Sequence, residues 1–217
     1  MQSFTEENYL KIIYHLSQHT AQSVQTNSIA ERIQTKAASV TDMMRKLSEK
    51  NLVDYRKYQG VKLTEKGRSA AINIVRKHRL WEVFLVEKLN FKWDEVHDIA
   101  EELEHINSPE LVDRLDEFLA FPKNDPHGDP IPDKNGKFDN DTFIKLSKLK
   151  QGDQGIILGV SEHSASFLQH LEKMGLTLGK KLSILDTIDF DGSVELLLEN
   201  KKINVSREIA KHILVKI

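Results

Sequence analysis

The sequence predicts a mainly α-helical chain that ends in a small β domain, and three observations predict it. Apolar residues recur at helical spacing from Thr5 to Asn51 and again from about Thr64 to Ala120. Between these runs, Val53 to Thr64 switches to a period of two, the mark of a short hairpin. From Thr142 onward the pattern is mostly short alternating strands. A chain of 217 residues, 39% hydrophobic and 29% charged, reads as an ordinary globular protein with material for one to three domains. The expected limits are residues 1–70, 71–140 and 141–217.

The first helix is expected from Thr5, as N-cap, to about Gln18, with Tyr9, Ile12, Ile13 and Leu16 at helical spacing. A short helix follows around Ser28 to Ile33. After a turn at Gln34 to Ala37, a third helix runs from about Ser39 to Asn51 on Val40, Met43, Met44 and Leu47, with Ser39 and Asp42 as a shortened capping box. Helix, tight turn, helix is a helix-turn-helix. The hairpin behind it, turning at Gln59-Gly60, supplies a wing.

A long helix is then expected from about Thr64 to Leu89, another opening at Asp94 and stopping near Ser108-Pro109, and a further one over Glu110 to Ala120. Phe121 to Asn140 is polar and rich in Pro, Gly and Asp, which marks a linker. The remainder reads as a small barrel of strands at Gln154–Val160, Lys181–Ile188, Ser193–Leu198, Lys201–Val205 and His212–Ile217. A helix at Ala165–Met174, closed by Gly175, lies between the first two.

The net charge of -2 hides an asymmetry. Arg32 to Arg68 holds ten Lys/Arg against four Asp/Glu, and Lys92 to Leu119 holds two against ten. A basic block suggests a polyanion partner and an acidic block a cation partner. In a helix-turn-helix the N-terminal residues of the second helix meet base edges while nearby cations and hydroxyls hold phosphate. Lys36, Ser39, Thr41, Arg45 and Lys46 are the candidates there, with Arg56, Lys57 and Lys62 on the wing. The chain has no Cys, which excludes disulfides and thiolate zinc sites. No apolar run approaches the ~18 residues of a membrane span, so a cytoplasmic location without membrane partners is expected.

His97-Asp-Ile-Ala-Glu-Glu-Leu-Glu-His105 is the most informative stretch. On a helix, His97, Glu101, Glu104 and His105 fall within roughly a third of the circumference. His78 and Glu82 form another such pair upstream at i,i+4. Nitrogen and oxygen donors without thiolate suit Mn²⁺, Fe²⁺ or Zn²⁺. The alternatives are a solvated acidic helix, with the winged helix sensing an organic ligand, or an enzyme. Glu102-x-x-His105 matches one half of a di-iron carboxylate site, but a second copy is missing and no His-Glu-x-x-His motif occurs. An enzyme is therefore not expected.

The order of motifs resembles the diphtheria toxin repressor family of metal-dependent transcriptional regulators, in its long form, over essentially the whole chain. The residues that carry the likeness are Glu7-Asn8-Tyr9-Leu10 through Ile13-Tyr14, Ile29-Ala30-Glu31-Arg32, Ser39-Val40-Thr41 and Leu63-Thr64-Glu65-Lys66-Gly67. Arg76 to Glu82, Val96-His97-Asp98, Glu104-His105 and Pro126 to Pro132 continue it. The resemblance implies a winged helix-turn-helix domain, a helical dimerisation and metal-binding domain, and a C-terminal SH3-like, FeoA-type domain. It implies a primary metal site of Asn8, Glu101, Glu104 and His105. A second site would use His78, Glu82 and His97, with Asp125, His127 and Glu162 as outside ligands.

Two departures stand out: family members commonly carry Asp or Met at the position of Asn8, and the bridged two-manganese arrangement of shorter members needs a carboxylate where this chain has Lys11. Separated sites are the better expectation. The resemblance also implies a homodimer on a palindromic operator, with Mn²⁺ as the ion and Fe²⁺ as the alternative. Manganese-responsive relatives carry Glu, and iron-responsive ones often Cys, at the position of Glu101.

Overall fold

Helix α1 (Phe4–Ser17) is capped by Ser3 and not, as expected, by Thr5. The Ser3 hydroxyl accepts from the Glu6 amide and the Glu6 carboxylate accepts from the Ser3 amide, so two orphan donors are satisfied reciprocally one turn before the apolar face begins. The computed structural model describes residues 2–18, 20, 22–139 and 142–217. It divides into two units: Met1–His78 with Glu101–Asp113 and Pro132–Lys137, and Arg79–Ala100 with Arg114–Ile131 and Phe138–Ile217.

The first unit holds α1, α2 (Thr26–Ile33), α3 (Ala37–Glu49), strands β1 (Val53–Arg56) and β2 (Gly60–Leu63), and the start of α4 (Glu65–Leu89). Leu10, Ile13, Ile29, Val40, Met44, Leu47, Leu52 and Val61 form its buried core. Helix α3 begins at Ala37, earlier than expected, with Lys36 as an N-cap that makes no side-chain bond. The expected Ser39–Asp42 capping box is therefore absent. Gln34, left-handed at φ 57°, closes α2, and the two alanines that follow Lys36 restart the helix at little conformational cost. β1 and β2 pair antiparallel from Val53↔Leu63 to Arg56↔Gly60, which is the expected wing. Gly60 is needed there twice over: its φ is +90°, and a Cβ would lie 2.6 Å from the Val24 carbonyl oxygen.

Glu6 fastens α1 to α3. Its buried carboxylate lies 2.7 Å from Lys50 Nζ and 3.0 Å from Lys46 Nζ. Burial would raise its pKa, but the bonds to Lys50 and Lys46 outweigh it and hold the group at about 2.

The unit boundary falls within α4, within α5 (His97–Leu103) and within α6 (Pro109–Phe118). Helix α5 opens at His97 and not at Asp94, because residues 93–95 form a turn in which Glu95 accepts from the Lys92 amide. Glu104 and His105 occupy the turn just after it.

The second unit contains a six-stranded antiparallel sheet of β3 (Ile144–Lys145), β4 (Gln154–Val160), β5 (Lys181–Thr187), β6 (Val194–Leu198), β7 (Lys201–Val205) and β8 (Ile213–Lys216). Helices α7 (Ala165–Met174) and α8 (Arg207–Ala210) complete it. The order β3-β8-β4-β5-β6-β7 leaves β3 and β7 as edges, so the expected barrel is an open, SH3-like one. Register shifts at Ile157/Gly159 and Ile184/Asp186 bend the strands around a core that includes Ile157, Leu168, Leu171, Leu196 and Val215.

The polar 121–140 stretch is not a free spacer. Asp125, His127, Gly128 and Ile131 are buried, and the His127 carbonyl accepts from the Val160 amide on β4 at 2.9 Å. Gly128, at φ +90°, has no room for a side chain: a Cβ would lie 2.0 Å from the Leu158 carbonyl oxygen. Among the described residues no helix is long and apolar enough to cross a membrane.

Candidate metal centres

The first cluster lies in the first unit. On α1, Phe4, Glu7, Asn8 and Lys11 share one face by their i, i+3, i+4, i+7 spacing. Lys77 and His78 come from α4, Glu101 from α5, and Glu104 and His105 from the turn after it. The Lys11 ammonium lies 2.6 Å from Glu101 Oε1 and 2.6 Å from Glu104 Oε1, and donates to Glu104 Oε2 at 2.7 Å. His78 Nδ1 is 2.7 Å from Glu104 Oε2. Glu104 is fully buried and Lys11 is 7% exposed, so this contact is made away from water. Lys77 is buried beside them; burial pulls its pKa down against the pull of Glu7 and Glu104.

His105 is 8% exposed and packs flat on the Phe4 ring at 4.6 Å. Its Nδ1 is 2.7 Å from Glu7 Oε2. A carboxylate there accepts, so Nδ1 carries the proton and Nε2 is the nitrogen with a lone pair for a ligand. Glu7 was not among the expected site residues. The signal was present in the sequence: a Glu on the same face of α1 as Asn8 and Lys11, one turn from an apolar stripe.

The second cluster lies in the second unit. Glu82 on α4 and Asp125 and His127 of the 121–140 segment each turn one ligand atom to a common point, all within 4.8 Å of one another, and all three are buried. His127 Nδ1 is 3.5 Å from Glu82 Oε2, and His97 Nδ1 is 3.6 Å from Glu82 Oε1. His127 Nε2 donates to the Trp93 carbonyl at 2.8 Å, which aims Nδ1 at Glu82. Asp125 Oδ1 accepts from the amides of His127 and Asp129, a turn that holds the loop in shape. The Arg79 guanidinium, 3.5 Å from Asp125 Oδ2, is the nearby permanent positive charge.

Protons are held tightly here. Burial, with Asp129 and Glu82 adding to it and Arg79 and His127 opposing, pushes the Asp125 carboxyl up to about 7. Burial lowers His127, but the hydrogen bond and charge of Glu82, with Asp125 and the Trp93 carbonyl, raise it to about 9. Glu162, expected as an outside ligand, accepts from the Ser164 amide at 2.9 Å at the start of α7. Its neighbour His163 stacks on His127 at 4.9 Å instead.

The basic face on α3 and the wing is exposed apart from half-buried Thr41. Arg45 pairs with Asp42 at 3.2 Å, Lys46 with Glu6, and Thr41 donates back to the Ala37 carbonyl. On the wing, Arg56 lies 3.7 Å from Asp54, Lys57 sits over the Tyr58 ring, and Lys62 is exposed. Tyr58, at the wing tip, is 88% exposed.

Both clusters fit a divalent ion. In the first, the Asn8 side-chain oxygen is buried with no hydrogen-bond partner among the described residues, and two carboxylates are already drawn around a cationic group. In the second, the donors are two carboxylates and an imidazole whose Nδ1 points inward and becomes a ligand once its proton leaves.

Three family profiles match the chain. Residues 1–61 match the iron dependent repressor N-terminal DNA binding domain. Residues 64–133 match the iron dependent repressor metal binding and dimerisation domain, and 144–217 the FeoA domain. The iron-dependent repressor IdeR of Mycobacterium tuberculosis (strain ATCC 25618 / H37Rv) is 26% identical over 224 residues, 98% of this chain and 96% of that protein. A solved manganese-dependent transcriptional repressor in complex with manganese is 37% identical with a TM-score of 0.87, over 97% of this chain and 99% of that one. The crystal structure of T. acidophilum IdeR is 27% identical with a TM-score of 0.74 over 100% of both chains.

Proposed function

This chain belongs to the iron-dependent repressor family of metal-dependent, DNA-binding transcriptional repressors, which is not a family of enzymes, and we propose that Mn²⁺ is its activating ion, with Fe²⁺ the alternative. The observation that carries this reading is the contact of Glu101 and Glu104 with Lys11 beside the Glu7–His105 pair. A cation-seeking carboxylate pair faces α1, the first helix of the DNA-binding region. Glu101, Glu104 and His105 would hold the ion, with Asn8 supplying an amide oxygen and Glu7 fixing the tautomer of His105. The ion supplies a double positive charge that ties α1 to the turn after α5. Glu82, Asp125 and His127 form the second site, with His97 beside Glu82 and Arg79 balancing charge.

The manganese assignment rests on hard oxygen and imidazole donors, on Glu101 in place of a thiolate, and on the manganese-bound relative of the same length. Fe²⁺ binds such donors more tightly in general, so selectivity has to come from geometry. The metal-loaded protein acts as a homodimer. Leu89, Phe118 and Phe121, each more than half exposed in the single chain, supply apolar surface for the interface. Two winged domains then meet successive major grooves of a palindromic operator about one turn apart. Lys36, Ser39, Thr41, Arg45 and Lys46 enter or flank the groove, and Arg56, Lys57 and Lys62 hold phosphate. The regulated genes are those of metal uptake, and the protein works in the cytoplasm.

The test is anaerobic binding to a duplex pool selected by the loaded protein, with free Mn²⁺ and free Fe²⁺ each buffered, alongside sizing of the complex. Activation by micromolar Mn²⁺ with a dimer on the duplex is expected. Activation by Fe²⁺ with Mn²⁺ inert would overturn the assignment, and a change of preference in Glu101→Cys would place selectivity at that residue.

A further inference from the structure

We propose that the Lys11 ammonium is the occupant a metal ion must expel from between Glu101 and Glu104, so that this chain carries a tethered competitor setting its own metal threshold. The inference rests on the assignment of those two carboxylates as ligands. Lys11 Nζ touches three of their four oxygens at 2.6–2.7 Å, and it does so at 7% exposure, so it is no solvated surface contact. A dication ligated by the same oxygens would have to sit closer to them than the ammonium does. Two cations cannot share that space: each needs the same lone pairs, and their mutual repulsion is strong where water is scarce.

The fully buried Glu104 makes the arrangement two-sided. A buried carboxylate without a counter-charge is unstable, so in the metal-free chain Lys11 neutralises it and holds α1 against the turn after α5. When an ion enters, it takes over that neutralisation, and the flexible four-carbon stem of Lys11 swings the ammonium to water. Metal-free stability and metal affinity are thus opposed through one side chain. Removing the ammonium weakens the empty protein and strengthens its hold on metal.

The experiment is Mn²⁺ titration by calorimetry of the full-length wild type, Lys11→Gln and Lys11→Met, with Glu104→Gln identifying the heat that belongs to this site. Both Lys11 variants are expected to bind Mn²⁺ at this site at least about tenfold more tightly, and their metal-free forms to melt at lower temperature. A second measurement does not depend on how the variants fold. In the wild type, acylation of Lys11 by an amine-reactive ester should be slow without metal and should accelerate at saturating Mn²⁺. Equal or weaker Mn²⁺ binding by folded Lys11→Gln, or a Lys11 acylation rate indifferent to Mn²⁺, overturns the proposal while leaving the site assignment standing. Wild-type chain whose Mn²⁺ binding is unaffected by Glu104→Gln overturns the site assignment, and the proposal with it.

Discussion

In the cluster on α1, the buried Glu104 meets a lysine ammonium at 2.6 Å, whereas on α4 the buried Glu82 meets His127 at 3.5 Å and has Asp125 for a neighbour. The first site neutralises its carboxylates with a permanent charge delivered by the chain. The second has one permanent charge, Arg79 at 3.5 Å from Asp125, and otherwise holds protons: burial with Asp129 and Glu82 raises Asp125, and Glu82 raises His127 against its burial. On the assignment proposed above, an ion entering the first would displace a side chain, and an ion entering the second would displace protons. The two clusters can therefore be separated by experiment.

The largest effect is expected from Glu104→Gln. It removes the carboxylate proposed as a ligand in the first cluster and should weaken metal-activated DNA binding by more than ~100-fold. Titration followed by a mobility shift checks this. His127→Ala should instead remove one ion per chain while leaving the first site able to load. It should also destabilise the protein by about 1–3 kcal/mol, since a buried imidazole that donates to the Trp93 carbonyl is lost. Equal loss at both sites would erase the distinction between them.

A pH series sharpens the comparison further. Asp125 has a folded pKa of about 7 against an ordinary 3.8, so the folded chain favours its protonated form and loses stability as pH rises through that window. His127, raised from 6.5 to about 9, contributes stability that is present below 6.5 and lost as pH climbs through 9. Both act in the same direction. Metal-free protein should therefore melt at lower temperature at about pH 9 than at about pH 6, and metal uptake at the second site should tighten over the same range with release of protons. Uptake without proton release would contradict the second cluster as described.

Glu6 gives a smaller, simpler case of a carboxylate held by lysine. Its pKa of about 2, below the ordinary 4.5, means that its stabilisation is present above 4.5 and lost as pH falls towards 2. Glu6→Gln should cost about 2 kcal/mol at neutral pH in a denaturant melt, and much less near pH 2. The least effect concerns DNA. Arg45→Ala should reduce the salt slope of binding by about one unit, and Lys46→Ala by less, because Glu6 already neutralises Lys46. A larger effect from Lys46 would show that the Glu6 pair opens on DNA.

The elements were legible where periodicity was strong. The long helix, the wing hairpin and the strand at Gln154–Val160 stand within a residue or two of expectation. Starts were less legible, because caps depend on local bonding: Ser3 outcompetes Thr5 through its reciprocal bond with Glu6, and Lys36 precedes α3 without any side-chain bond. In the site, spacing put His97, Glu101, Glu104 and His105 on one stripe, and only the family resemblance separated Glu101, Glu104 and His105 from His97. That Asp125, His127, Gly128, Ile131 and Pro132 of the 121–140 stretch are buried was hidden, since its composition is that of a loop and the close backbone approach at Gly128 is a tertiary contact. Lys11 was visible only as a departure from the family's pattern. Its contact with two acidic residues some ninety positions away is a tertiary fact that no local pattern encodes.

Metal activation through the first cluster is tested most directly by DNA binding of the chelator-treated full-length protein, before and after Mn²⁺ is restored, in wild type and in Glu104→Gln. Weak, salt-sensitive binding is expected without metal, strong sequence-selective binding with Mn²⁺ in the wild type, and no such gain in Glu104→Gln. Full-strength selective binding by the metal-free wild type, or undiminished activation of Glu104→Gln, would contradict metal activation through this cluster.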